Sequence, residues 1–173
     1  MFNKIKQAYE RGESADTIHE LYLQITDIEE TDDDGSTYCH LAASFADHQA
    51  LDILKQKGAI ASSTGDNGDT ALYTLASCRE ADVDDMYRSA LTLLDMKASA
   101  IKKNKYGTNA VYQAVYRGHY RMVRAFAERD VKMSIPVHSK TMLYVAAERY
   151  ADKINNSKRW RESNQVAYDE LMK

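Results

Sequence analysis

One nine-residue pattern returns along the chain at nearly constant spacing, and it limits the possible folds more than any composition figure does. Gly35-Ser36-Thr37-Tyr38-Cys39-His40-Leu41-Ala42-Ala43 is its first copy, and Gly68-Asp69-Thr70-Ala71-Leu72-Tyr73-Thr74-Leu75-Ala76 is its second. Gly107-Thr108-Asn109-Ala110-Val111-Tyr112-Gln113-Ala114-Val115 is the third. A fourth, Ser139-Lys140-Thr141-Met142-Leu143-Tyr144-Val145-Ala146-Ala147, has lost the glycine; the four leading positions stand 33, 39 and 32 residues apart. A period of this size marks an array in which each unit is too small to bury its apolar face alone and covers it with its neighbour.

A second apolar stripe with helical spacing follows each copy. Leu51, Ile53 and Leu54 lead to Gly58-Ala59, while Ala90, Leu91, Leu93 and Leu94 lead to Lys97-Ala98. After Gly118-His119 come Met122, Val123, Ala125 and Phe126. The longer second interval is expected to place its extra residues at 79–85, where Asp82, Asp84 or Asp85 can cap the next helix. Ahead of the array, Phe2, Ile5, Ala8 and Tyr9 predict one helix, ended by Gly12. Ser14 or Asp16 can cap a second helix bearing Ile18, Leu21, Tyr22 and Ile25, and Asp27-Ile28 leads into the first hairpin.

With its period near 33 and its order G-x-T-x-L-[HY]-x-A-A, the pattern resembles the ankyrin repeat, whose usual signature is T-P-L-H-x-A. The closing Gly58-Ala59 and the Gly118-His119 step are similar to the same family. The resemblance implies an all-α repeat solenoid, an ankyrin-like stack of helix-turn-helix units joined by hairpin loops. On this reading residues 1–173 are one array: a cap at 1–31, repeats at 32–64, 65–103 and 104–135, and a C-terminal repeat or cap at 136–173 carrying Trp160. It also implies that Thr37 and His40 hydrogen-bond at a helix start and tie neighbouring units. No unit keeps the proline, and Tyr73, Tyr112 and Tyr144 stand at the histidine position. A phenol there still supplies a donor and an acceptor, and its ring fills space against the next unit.

Composition bears on function mainly by exclusion. With 44% hydrophobic and 28% charged residues the chain reads as globular, and it contains no apolar run long enough to cross a bilayer. Two cysteines make no disulfide framework and the N-terminus lacks a signal peptide's apolar core, so a cytoplasmic protein is expected, with a translocated microbial effector as an alternative. Residues 1–100 carry 19 acidic and 8 basic side chains, net −11, whereas residues 101–173 carry 7 and 15, net +8. Such polarity orients encounters with charged partners.

No catalytic or metal signature emerges. His40 and His119 hold motif positions, and Cys39 sits in the slot filled by Leu72, Val111 and Leu143, so all three read as scaffold. Cys78, at a helix end, reads as the more exposed thiol, open to modification. Asp32-Asp33-Asp34-Gly35 invites a calcium reading, but with Gly35 as the sixth loop position the twelfth, a glutamate in an EF-hand, is Leu41. Walker, dinucleotide-binding, Gly-x-Ser-x-Gly, His-Glu-x-x-His and Cys-x-x-Cys patterns do not occur. No cofactor, metal or catalytic residue is therefore assigned.

The function expected is a non-catalytic protein–protein interaction module that grips another protein with its concave face and hairpin tips. The candidate contact residues are Phe45, Asp66, Asp69, Lys105, Tyr106, Tyr116, Arg117 and Arg149, since aromatic and arginine side chains dominate interface energies. Two alternatives stay open. One is a regulatory or targeting fragment of a larger enzyme. The other is a binder of nucleic acid or an anionic surface through Lys102, Lys103, Lys105, Arg117, Arg121, Arg124 and Lys132.

Overall fold

Capping side chains set where the helices start, and the recurrent motif supplies most of them. The computed structural model describes residues 1–79 and 81–132. The expected C-terminal unit at 136–173, with Arg149 and Trp160, lies outside the described residues, as do the last three residues of the third repeat. Regular structure among the described residues is all-helical. It comprises α1 (Phe2–Glu10), α2 (Ala15–Leu23), α3 (Tyr38–Ser44), α4 (His48–Gln56), α5 (Ala71–Ser77), α6 (Val83–Asp95), α7 (Ala110–Arg117) and α8 (Tyr120–Glu128). None of these helices is long and apolar enough to cross a membrane.

The helices that open on the motif begin immediately after Thr37, Thr70 and Asn109. Thr70 Oγ1 accepts from the Tyr73 amide at 3.2 Å, and Asn109 Oδ1 accepts from the Tyr112 amide at 2.8 Å. In the first copy the Thr37 amide donates to His40 Nδ1 at 3.2 Å. Each of these bonds satisfies an N–H that a helix start leaves without an intrahelical partner. Ser14 caps α2, Asp47 caps α4 and Asp82 caps α6, the last accepting from the amides of Asp84 and Asp85.

The extra residues of the second interval do not all enter a loop, contrary to the sequence expectation. Helix α6 has 13 residues against nine in α4 and α8, so most of the insertion forms an additional N-terminal turn. Asp82 explains this: a strong cap placed early lets the helix start early, and Met86, on the added turn, is buried.

Packing repeats as the motif does. Within the segments α1 pairs with α2, α3 with α4, α5 with α6 and α7 with α8. Between segments α3 packs on α5 and α5 on α7, while α2, α4, α6 and α8 pack in a parallel series. Ala42, Ala43, Ala71, Ala76, Ala110 and Ala114 on the motif helices are fully buried, and small side chains let packed helix backbones come close. Leu51, Leu54, Leu93, Met122, Val123 and Phe126 fill the layer between the motif helices and their partners. At the N-terminal end Tyr38 is buried against Phe2 and Tyr22, and its hydroxyl donates to the Glu30 carboxylate. A tyrosine thus replaces the preset backbone angle of proline with an aromatic contact to the first hairpin.

The turns ahead of the motif helices also join one another. The Asp66 amide donates to the Asp34 carbonyl at 2.9 Å, and the Lys105 amide donates to the Asn67 carbonyl at 2.8 Å. Asp32 Oδ1 accepts from the amides of Asp34 and Ser36, so this carboxylate is engaged inside its own turn. Gly68 has φ +76, and a Cβ there would lie 3.3 Å from Asn104 Cα, so the close approach of adjacent turns depends on glycine.

Three equivalent positions after the second helices, Gly58, Lys97 and Asp130, all take positive φ, and Lys97 (φ 71) is exposed there. The left-handed conformation costs an L-residue roughly 1–2 kcal/mol, and glycine's unfolded-chain entropy offsets roughly 0.5–1 kcal/mol of the gain from replacing it. Lys97→Gly should therefore raise stability by about 0.5–1 kcal/mol, and the β-branched Lys97→Val should lower it. Urea unfolding of the three proteins checks the order.

Candidate groove at the ends of the motif helices

The residues that close each motif helix come together in a row. Ser44-Phe45 ends α3, Ser77-Cys78 ends α5 and Tyr116-Arg117 ends α7, all at the same motif positions. Three side-chain bonds lock these ends to each other. The Cys78 thiol donates to the Ser44 carbonyl at 3.0 Å and lies 3.3 Å from the Ala43 carbonyl. His119 Nε2 donates to the Cys78 carbonyl at 3.1 Å, and Gln113 Nε2 donates to Ser77 Oγ at 3.3 Å. Beside the first two ends opens a groove of about 360 Å³ lined by Ser44, Phe45, Cys78, Arg79 and Ala81.

Phe45 is 45% exposed, and its inner face stacks on Tyr9 with ring centres 4.1 Å apart and planes 4° from parallel. Tyr9 is itself held: its hydroxyl donates to Asp47 Oδ2 at 2.8 Å, and His19 Nε2 lies 3.0 Å from both Asp47 oxygens. The α1–α2 hairpin thus presents Phe45 with one aromatic face outward. Sequence patterning places Tyr9 on a core stripe but carries no signal that its ring backs Phe45. Arg79 and Ala81, also in the groove, are not singled out by the motif.

At the third position Tyr116 and Arg117 are half-buried, and Tyr116 stacks against Tyr112 at 5.9 Å. Arg117 Nε is buried without a hydrogen-bond partner among the described residues. The guanidinium lies close enough for its charge to act on the Cys78 thiol and the His119 ring.

The remaining candidates sit elsewhere. Asp66, Lys105 and Tyr106 are exposed on the turns, with Lys105 Nζ 5.2 Å from the centre of the Tyr106 ring. Asp69 is engaged: its carboxylate accepts from Asn104 Nδ2 at 2.7 Å, and its carbonyl accepts from His40 Nε2 at 3.1 Å. That second bond joins neighbouring segments, and at the equivalent place Thr108 Oγ1 lies 3.4 Å from the Tyr73 hydroxyl. The turns and the groove therefore form two separate rows, at opposite ends of the motif helices.

The candidate cations divide as well. Arg121 pairs with Asp84 at 3.5 Å and Arg124 with Glu128 at 3.0 Å, while Lys102, Lys103 and Lys105 are exposed. Asp95 bridges Lys55 and Arg129, linking α4 and α6 to the end of α8.

Cys78 is the more exposed of the two thiols, as expected, though not fully exposed. It is half-buried, donates to backbone carbonyls, and burial pushes its pKa up to about 11; the buried Cys39 thiol is pushed up to about 12 for the same reason. Burial also lowers the His40 and His119 pKa values, His119 to about 4 with Arg117 adding repulsion.

Two outcomes follow. The raised thiol values predict that native Cys39 and Cys78 react with iodoacetamide at pH 8 at least about tenfold more slowly than in urea, the loss of thiolate outweighing its greater nucleophilicity. For His119, an unfolded-chain value of 6.5 against about 4 in the fold means that the unfolded chain binds the proton first as pH falls. Its contribution is complete above the unfolded value and is lost progressively down to about pH 4, by up to about 3 kcal/mol. His119→Gln keeps a donor for the Cys78 carbonyl and should flatten urea-measured stability across that window.

No protein-family model matches this chain, and no curated protein matches its sequence.

Proposed function

We propose that the chain is a non-catalytic protein-binding module, an ankyrin-like repeat solenoid that holds a partner protein along the groove at the ends of its motif helices. The observation that carries this reading is the row Phe45, Cys78, Arg117: three equivalent positions on successive helices, with an aromatic face turned outward at one end and a guanidinium at the other. The solenoid reading rests on the two parallel helix series and on the hydrogen bonds that join successive turns. A surface set on such rigid, mutually bonded helix ends loses little conformational freedom on binding.

The non-catalytic part of the proposal rests on how the reactive side chains are used. His40 and His119 hold backbone groups, His19 and His48 pair with Asp47 and Asp85, and both thiols are shifted away from thiolate. The two free thiols fit the cytoplasm, the compartment we assign to it. Arg121 and Arg124, engaged by carboxylates, weaken the nucleic-acid alternative.

The test is capture of partners from native lysate by the wild-type chain and by Tyr116→Ala with Arg117→Ala. The double variant is expected to melt like an intact fold yet lose the captured protein. Equal capture by both proteins removes this surface from consideration.

A further inference from the structure

Charge is sorted along the turns that precede the motif helices. The turn before α3 exposes Asp27, Glu29, Asp33 and Asp34, with no basic side chain between residues 27 and 36. The turn before α5 exposes Asp66, while the Asp69 carboxylate is bonded to Asn104. The turn before α7 exposes Lys102, Lys103 and Lys105, with no acidic side chain between residues 99 and 108.

Neighbouring charges leave this order standing. Glu30 and Asp32 bring the first turn to six carboxylates, against the Met1 ammonium held by Glu30, Lys57 held by the Leu23 and Ile25 carbonyls, and Lys4 on the first turn of α1. Beside the third turn Lys97 adds to the positive charge, Asp95 is bridged by Lys55 and Arg129, and Asp130 and Lys132 offset each other. Backbone bonds from Asp66 to Asp34 and from Lys105 to Asn67 fix the three turns as one ridge. Helices packed side by side lie roughly 8–10 Å apart, so the ends of the ridge stand about 20 Å apart. That is about two screening lengths at 0.1 M salt, and each end acts on an approaching charge separately.

We propose that this ridge pairs with the same ridge of a second copy of the chain, the two running antiparallel about a two-fold axis at the middle turn. The symmetry sets the acidic turn of each copy opposite the lysines of the other, and it closes the assembly at two. A ridge negative at one end and positive at the other is its own complement, whereas a partner of a single sign is attracted by one end and repelled by the other. Tyr106, 61% exposed beside the lysines, brings a phenol donor to the carboxylates of the opposing turn. One like-charge contact remains, because Asp66 meets its own copy at the axis. The contact is narrow and polar, which makes the dimer weak and sensitive to salt. It lies at the opposite ends of the motif helices from the groove and does not depend on the protein-binding reading.

Sedimentation equilibrium of the full chain tests the pairing. At about 20 mM salt a monomer–dimer equilibrium is expected with a dissociation constant of about 10–100 µM, weakened at least about tenfold at about 300 mM salt. A variant with Lys102→Glu, Lys103→Glu and Lys105→Glu, and another with Glu29→Lys, Asp33→Lys and Asp34→Lys, should each be monomeric alone. Mixed together they should form a dimer, since every facing pair of end turns is then again of opposite sign. Asp66→Asn, which removes the repulsion at the axis, should tighten the dimer about threefold at low salt. The salt dependence and the Asp66→Asn result need neither reversed variant to fold. A chain still monomeric at about 1 mM in low salt, a dimer indifferent to salt, or reversed variants that dimerise alone overturn the proposal. A mixture of folded reversed variants that stays monomeric, an Asp66→Asn dimer no tighter than the wild type, or species beyond the dimer that grow with concentration overturn the two-fold antiparallel arrangement.

Discussion

Close approach between successive motif helices is the constraint on which the rest of this molecule depends. Alanines at Ala42, Ala43, Ala71, Ala76, Ala110 and Ala114 are fully buried on α3, α5 and α7, which pack in series. With a larger side chain at any of them the helices would separate, and the bonds between their ends would be lost. Those bonds are short-range and numerous: His40 to the Asp69 carbonyl, Cys78 to the Ser44 carbonyl, His119 to the Cys78 carbonyl, and backbone bonds from turn to turn. Each satisfies a polar group that the packing of segment on segment would otherwise bury alone.

The same constraint decides how the reactive side chains are used. A thiol or imidazole placed at these junctions is partly enclosed, so its charged form is penalised and its neutral form becomes a hydrogen-bond donor to backbone. Cys78 and His119 are examples, and neither is poised as a nucleophile or a base at neutral pH. Arg117 occupies the corresponding place on the third motif helix.

Much of the architecture was readable beforehand because it is written in local terms. Cap residues act on amides two or three positions away, so Ser14 and Asp82, each among the cap candidates the sequence offered, mark helix starts without reference to the rest of the chain. Helical spacing of apolar residues likewise singled out Met122, Val123, Ala125 and Phe126, all of them buried. The longer second interval was read only by position. Whether six added residues lengthen a loop or a helix depends on whether Met86 finds cover, which is a matter of neighbours distant in the chain. The candidate contact residues were legible as outward positions, but not their division into an exposed turn row with Asp66, Lys105 and Tyr106 and a groove row with Phe45, Tyr116 and Arg117.

What the amino-acid order settled alone was the period, the helix boundaries set by caps and glycines, and which face of each helix is apolar, because all of these arise from contacts within a few residues. Tertiary structure alone decided that Tyr9 would back Phe45, that Asp69 would be spent on His40 and Asn104, and that Cys78 would turn inward while Arg117 Nε was left unbonded among the described residues. Each of those outcomes depends on atoms more than 25 positions apart in the chain, or on burial created by a neighbouring segment, and no local pattern encodes either.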